Sequence, residues 1–315
     1  MKKITHLFYG FLIVLTALWL WADNIITTPL TFLPARESLM NYTGIIAISV
    51  MSVGMIIAIR PARLEPFFGG LDKMYRLHKW LGISALTFSV VHWAIKQSPG
   101  WLSGLGLITL PPRGPRGARA VVEGFSMQQT LGSLRGVAEF IGEWSFYVAA
   151  VLMVLALVKY FPYRLFFKTH HFLIFLYLLL VFHAVVLMKF AYWSSVIGVL
   201  TGVLMLAGSA AALGILFKQT GKDRRAVALV EALEYHPDSK VLKVAVKLKD
   251  RWLGHEAGQF AFATFTPDEA PHPFTISSAW TGDGRMFFLI KELGDYTQTL
   301  AAKLKVGDTV KLEGP

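Results

Sequence analysis

Six separate stretches of this chain are apolar enough and long enough to cross a lipid bilayer, for which a helix needs roughly 20 residues. They run over Ile4–Ala22, Leu39–Ile59, Tyr75–Ile95, Val137–Tyr160, Thr169–Phe190 and Val196–Phe217. In hydrocarbon every backbone group must find its partner within the protein, so such stretches can only be packed helices. The first, preceded by Lys2 and Lys3, has the look of a secretory leader. However, Trp19, Leu20 and Trp21 close it where a cleavage site needs small residues, so it reads as a retained helix. The chain is 54% hydrophobic and 16% charged over 315 residues, and these stretches hold the apolar excess.

The basic residues of the short loops give a direction. Lys2 and Lys3 start the chain, and Arg60, Arg63, Lys73 and Arg76 lie between the second and third stretches. Arg164 and Lys168 lie between the fourth and fifth, and Lys218, Lys222, Arg224 and Arg225 follow the sixth. All fall on one side, which the positive-inside rule makes cytoplasmic. The long 96–136 loop carries Arg113, Arg116, Arg119 and Arg135 on the other side, and four agreeing segments outweigh it. The expectation is an integral protein, of a bacterial inner membrane, with its N-terminus and C-terminal portion cytoplasmic. Residues 1–217 hold 17 Lys/Arg against 7 Asp/Glu, and residues 218–315 hold 14 against 13. The basic excess therefore belongs to the apolar part. It points to lipid headgroups as partner, not to nucleic acid.

After a basic linker, 218–225, the pattern changes to short strands. Ala226–Tyr235 and Lys240–Lys249 flank a His236-Pro237-Asp238-Ser239 turn as a hairpin. Gln259–Thr266, Phe274–Ser278, Met286–Lys291 and Thr309–Glu313 read as further strands, and Tyr296–Lys305 as a short helix. The fold class expected is a membrane all-α six-helix bundle over 1–217 followed by a small antiparallel β-barrel over 226–315.

Cysteine is absent. This excludes disulfides, thiolate iron–sulfur clusters, CxxCH haem attachment and thiol nucleophiles. Any metal must be held by histidine or carboxylate. Five of the nine histidines sit in two of the apolar stretches: His78 and His92 on the third, His170, His171 and His183 on the fifth. Ionisable groups in a membrane are costly and point to function. His78 and His92 are 14 residues apart, a rise of roughly 21 Å that returns to within about 40° of one helix face. The gap to His183, 13 residues from His170 or 12 from His171, spans about 18–20 Å with a facing error of some 120–140°, so ideal geometry does not choose between them. The two stretches cross in the same direction, which sets His78 level with His170 and His92 level with His183. Two imidazoles at each of two levels make slots for two b-type haems. The plain alternative is buried, hydrogen-bonded histidine. Zinc is disfavoured, since two ligands per level fall short of a tetrahedral site.

Three further residues stand near one end. Arg135 begins the fourth stretch as a headgroup anchor or an attraction for an anion. Glu139 and Glu143 follow it, either pairing with Arg135 or forming a proton or cation path.

In the C-terminal part, His272-Pro273-Phe274-Thr275-Ile276-Ser277-Ser278 combines an aromatic ring with hydroxyls on one strand. Phe274 suits packing on a flat ring, and Thr275 suits a hydrogen bond to it. Lys291-Glu292-Leu293-Gly294-Asp295-Tyr296-Thr297 leads into the short helix, and a glycine and hydroxyl at a helix N-terminus make a seat for pyrophosphate. Each segment is also what a strand core or a helix cap looks like.

Taken together, these features resemble the ferric reductase / NADPH oxidase superfamily, over nearly the whole chain and in the family's order. Its flavin motif, HPFT-[IL]-[ST]-[ST], is matched at each position from His272 to Ser278. The resemblance implies a ferredoxin-reductase-type FAD domain, with His272, Pro273, Phe274, Thr275 and Ser277 at the flavin. Phe274 and Thr275 would face the isoalloxazine, and His272 the phosphate or ribitol. Lys291, Gly294 and Thr297 would form the second FAD segment. It also implies haem iron on His78, His92, His183 and, by the family's 13-residue spacing, His170 rather than His171.

The family continues from a Gly-Pro-Tyr/Phe-Gly motif into a nicotinamide domain. This sequence ends at Glu313-Gly314-Pro315, so the NAD(P)H site is expected largely outside it, in a further domain or a separate donor protein. The implied activity is transmembrane electron transfer from NAD(P)H through FAD and two haem b groups to a ferric chelate, dioxygen or quinone. Two rival readings are a haem-binding membrane subunit serving a periplasmic enzyme or quinone, and a non-redox six-helix transporter.

Overall fold

A computed structural model describes residues 2–23, 31–61, 64–109, 126–158, 160–217, 225–256, 258–266 and 269–314. Arg63, Arg113, Arg116 and Arg119 lie outside these residues, as does the expected basic linker apart from Arg225.

The bundle consists of α1 (Lys2–Ala22), α2 (Phe32–Ala58), a single turn α3 (Glu65–Phe68), α4 (Leu71–Gly104), α5 (Met127–Leu157), α6 (Tyr163–Leu187) and α7 (Val196–Leu216). A 3-10 turn, Phe190–Ser194, joins the last two. Each expected stretch has a helix as its core, although α5 and α6 end at Leu157 and Leu187, short of the expected Tyr160 and Phe190, while α2, α4 and α5 extend well beyond the other ends of their apolar stretches or past both. Among the described residues five helices, α1, α2, α5, α6 and α7, are long and apolar enough to span a membrane. The stretch expected to match them, α4, has 34 residues but is more polar. The cause is that His78, Ser89, His92 and Lys96 on α4 are partly buried and line the cavity within the bundle.

The most enclosed helix is α2, on which Ile46, Ser49, Val50 and Ser52 are fully buried. It packs against α1, α4, α6 and α7. Without water there is no hydrophobic drive between membrane helices, so close approach through small residues takes over. Gly208 on α7 is such a point: a Cβ there would fall on the Tyr177 hydroxyl and crowd Ser52. Ser52 Oγ and Tyr177 Oη lie 2.9 Å apart in a shared hydrogen bond that ties α2 to α6.

Proline lies inside α4 at Pro99. Its missing N–H leaves the Ile95 carbonyl, four residues back, without its helical donor. Arg36 on α2 supplies one: its Nε donates to Ile95 O at 3.0 Å and its Nη2 to Lys96 O at 2.9 Å. Ser98 Oγ also donates to Ile95 O, at 2.7 Å.

The C-terminal domain contains β1 (Arg225–His236), β2 (Val241–Leu248), β3 (Phe260–Thr264), β4 (His272–Thr275), β5 (Arg285–Lys291), α8 (Asp295–Lys303) and β6 (Thr309–Glu313). Its six strands form an antiparallel sheet in the order β4-β3-β6-β1-β2-β5. β1 and β2 are the expected hairpin, with an irregularity between Val230 and Ala232. The two edges meet at one bridge, Ile276 with Phe288. The sheet thus curls as a barrel does but closes through a single pair. β4 is only four residues long and includes Pro273, which has no N–H to donate to a ladder. Ala228, Val244, Phe288, Leu300 and Val310 are fully buried in the domain's core.

The sheet domain docks on one end of the bundle through aromatic and charged pairs. Arg60, which follows α2 in a left-handed conformation (φ 55°), reaches Glu313 at 2.7 Å and lies over the Phe262 ring at 4.4 Å. Tyr75 packs against Phe262 and Phe260, with ring centres 5.4 and 5.9 Å apart. Arg164 Nε donates to Glu269 at 2.9 Å, and Tyr163 Oη to the Pro271 carbonyl at 2.8 Å.

Candidate functional site

Two histidine pairs face each other between α4 and α6. The ring centres of His78 and His170 are 6.0 Å apart, and those of His92 and His183 are 6.5 Å apart. The first pair lies toward the sheet domain and is here termed proximal; the second is distal. Three of the rings are fixed from behind by backbone. Nδ1 of His78 donates to Gly54 O at 3.1 Å, Nδ1 of His92 to Met40 O at 3.0 Å, and Nδ1 of His183 to Ala138 O at 2.8 Å. His92 Nδ1 also stands 3.1 Å from Thr43 Oγ1. His170 stacks on Phe166 at 5.0 Å, and its buried Nδ1 has no hydrogen-bond partner among the described residues. His171 is exposed, packs on Phe167 and bonds the Phe167 carbonyl of its own helix at 2.8 Å.

The facing error on α6 is absorbed by glycine on a neighbouring helix. His183 leaves α6 over α5, where a Cβ at Gly142 would fall on its imidazole. On α2, a Cβ at Gly44 would press on His92 at 3.3 Å. Residue spacing along α6 alone carries no trace of this room.

A cavity of about 2030 Å³ runs through the bundle and is lined by all four paired histidines. Its distal end carries Arg36, Lys96, Arg135, Glu139, Glu143 and Lys189. Arg135 pairs with Glu139 at 2.8 Å, as the spacing allowed, but Glu143 turns instead to Lys96, also at 2.8 Å. Lys96 belongs to α4, one turn past His92. That position was legible as an i, i+4 neighbour, although the sequence reading missed it. Among the described residues no group of three or more His, Asp or Glu comes together. Metal-ligating groups thus meet as pairs.

On β4, successive side chains alternate. His272 and Phe274 share one face, and Pro273 and Thr275 are exposed on the other. Phe274 packs on Phe265 at 5.5 Å and joins the sheet core. A flat ring meeting both Phe274 and Thr275 must therefore lie across the free edge of β4. Ser277 N–H donates to Phe287 O at 2.9 Å. Lys291 is exposed at the end of β5. Thr297 Oγ1 accepts from the N–H groups of Leu293 and Gly294, at 3.0 and 3.2 Å, shaping the turn into α8.

His272 has a further setting. Its ring lies between Tyr163 of α6 and Tyr296 of α8, each with centres 4.3 Å away. Burial pushes its pKa below the ordinary value, while Glu269, 3.7 Å from Nε2, opposes the shift. The hydrogen bond from Arg164 holds the Glu269 carboxyl below its usual range. Neither tyrosine was singled out by the sequence, because their meeting depends on the docking of two domains.

The ferric-reductase-like transmembrane component family matches residues 43–181, and an FAD-binding domain family matches residues 225–313. Among curated proteins none matches the chain closely enough to count as a relative. Among solved structures, a ferredoxin reductase in carbazole 1,9a-dioxygenase is 23% identical over 29% of this chain and 28% of its own, with a TM-score of 0.26. A flavohemoglobin from Malassezia yamatoensis with bound FAD and heme is 13% identical over 89% of this chain, with a TM-score of 0.32. The chain spans 28% and 63% of the lengths of these two structures, and both likenesses are too loose to argue from. The two family matches, in this order and on these helices and strands, give the chain the architecture of the ferric reductase / NADPH oxidase superfamily: a ferric-reductase-like transmembrane component followed by an FAD-binding domain.

Proposed function

We propose that the chain is a flavocytochrome that moves electrons across a membrane. FAD would sit at β4 and the β5–α8 turn, and two haem b groups between α4 and α6. NAD(P)H would be the donor on the cytoplasmic side and a small molecule the acceptor on the other. The observation that carries this reading is the meeting of His78 with His170 and of His92 with His183.

The residues fit such a group. A carbonyl oxygen only accepts, so Nδ1 of His78, His92 and His183 carries the proton and Nε2 is left as the free base. A backbone carbonyl behind the ring is the usual support of a metal-bound histidine. Metal–nitrogen bonds of about 2.0–2.1 Å, with about 1.2 Å from nitrogen to ring centre, put two imidazoles on one ion about 6.4 Å apart. The observed 6.0 and 6.5 Å agree with this. A site for one ligand reaches about 1,000 Å³, and the cavity of about 2030 Å³ has room for more than one large group. Phe274, Thr275 and the Thr297-shaped turn would hold the flavin by its ring and its phosphates.

When bound, flavin converts a two-electron donor into single electrons, and haem carries single electrons through the bilayer. The chain's own part is to orient the four imidazoles, to keep water from them with the apolar walls of α2, α4 and α6, and to hold the two domains together. Arg60, Arg164 and Arg225 lie at the docking end, where they meet Glu313, Glu269 and the start of the sheet, which supports placing that end in the cytoplasm.

The test is a dithionite-reduced minus oxidised spectrum of the purified protein. We expect a b-type α-band, two haems per chain by pyridine haemochrome, and one haem after His92→Ala. FAD should be released on denaturation. A folded protein with no Soret band overturns the reading.

A further inference from the structure

The distal end of the cavity holds a connected polar network. Lys96 Nζ donates to Glu143 Oε2 at 2.8 Å, Tyr147 Oη donates to Glu143 Oε1 at 2.9 Å, and Trp93 Nε1 donates to Tyr147 Oη at 3.2 Å. The network lies beside the distal pair: Lys96 is one turn past His92, and Glu143 follows the glycine that receives His183. Trp93, Lys96, Glu143 and Phe146 line the cavity.

From this point aromatic rings lead outward between α4 and α5. Trp93 stacks on Phe146 with centres 6.0 Å apart and meets Trp101 edge-on at 5.6 Å. Tyr147 meets Trp144 edge-on at 6.0 Å. Trp101 is 50% exposed and Trp144 57% exposed, on the outer surface of the bundle, and Trp144 belongs to the apolar span α5. One wall therefore runs from the cavity to the outer surface of the bundle through flat rings, with ionisable groups at its inner end.

We propose that this wall is the acceptor site and that the acceptor is a lipid-borne quinone. The proposal rests on the electron-transfer reading above and names its substrate class. A quinone is a flat, apolar ring with two carbonyl oxygens, and it arrives from within the bilayer. The aromatic wall suits the ring, and the Lys96 ammonium suits a carbonyl oxygen as hydrogen-bond donor. Reduction takes two electrons, arriving one at a time by way of the distal pair, and two protons. Both C=O double bonds become C–O single bonds bearing O–H, and the ring becomes aromatic. The electrons come from the nicotinamide donor. The protons enter from distal water through Glu143 and Tyr147.

A water-borne ferric chelate, being anionic, needs unmatched positive charge. Of the described cations at this end, Lys96 and Arg135 are paired with the carboxylates of Glu143 and Glu139, whereas Arg36 and Lys189 meet neutral groups and keep their charge, so an anionic chelate is the competing acceptor in the test below. Dioxygen needs no aromatic wall.

The test uses the holoprotein in nanodiscs, reduced and then mixed with decylubiquinone or with ferric EDTA. We expect decylubiquinone to re-oxidise the b-type absorbance at least tenfold faster. Lys96→Gln and Glu143→Gln should each slow the quinone step tenfold or more. A photoreactive azidoquinone should label peptides of α4 and α5, and Trp93→Leu should abolish that labelling. Faster re-oxidation by ferric EDTA, or labelling confined to other helices, overturns the proposal and leaves the electron-transfer reading standing. A missing b-type band overturns that reading instead, and the azidoquinone labelling still decides whether the site binds quinone.

Discussion

Gly142 sits in an apolar helix, where nothing in its neighbours marks it. Its lack of a side chain is what lets the His183 imidazole lie against α5. A methyl group there must displace the ring, and overpacking of this kind costs about 1–3 kcal/mol. Gly142→Ala is expected to lose the distal haem and keep the proximal one, read as a fall from two haems to one per chain by pyridine haemochrome. The histidines themselves were legible, because ionisable groups stand out in a hydrophobic run. The choice of His170 over His171 came only from family spacing. The structure gives the physical reason for the difference between them: His171 bonds its own helix, while His170 turns inward on Phe166.

At the scale of the element, α4 shows how one helix depends on another. Pro99 removes a donor, and Arg36 on α2 replaces it. Arg36→Leu leaves the Ile95 carbonyl with Ser98 as its named donor, and should cost about 1–2 kcal/mol, seen as a lower melting temperature. Pro99→Ala in the same protein restores the helical N–H and should recover most of the loss. If the double variant melts no higher than Arg36→Leu alone, the arginine serves some other purpose. The polarity of α4 follows the same logic. A helix that turns histidine, lysine and serine into a cavity cannot also be as apolar as its lipid-facing neighbours. The strands were legible from alternation. The single bridge that joins the sheet's edges was not, since it depends on how far the sheet curls.

At the scale of the whole molecule, the two domains are held by contacts that neither contains alone. Arg60 and Glu313 keep only 14% and 10% of their side-chain surface exposed. Removing one partner of an enclosed pair costs about 3–5 kcal/mol. Glu313→Gln is expected near the lower end of that range, with faster amide exchange in β3 and β6 as the measurement.

The joint should also weaken in acid. His272 has a lowered pKa when docked. As pH falls through the ordinary value of about 6.5, the undocked chain therefore takes up a proton first, and docking loses stability. Glu269 is held low by Arg164, so its contribution is intact above about 4.5 and fades only as pH falls further. Amide exchange across the joint, compared between about pH 8 and pH 5, should show this loss of protection. His272→Phe, which keeps the ring between Tyr163 and Tyr296, should flatten its upper part.

Sequence by itself determined that this chain enters a membrane as helices, that a separate domain of strands follows, and that two helices carry histidines at matching heights. Those properties follow from local chemistry: runs of apolar residues, alternation, and the rise per residue of a helix. Tertiary structure alone decided that Glu143 turns to Lys96 and not to Arg135, that Gly142 makes the room for His183, and that His272 packs between two domains. Such choices depend on room left by residues distant in the chain, such as Gly142 and Gly208, and on rings brought together by docking. No periodicity along one segment records what another segment leaves empty.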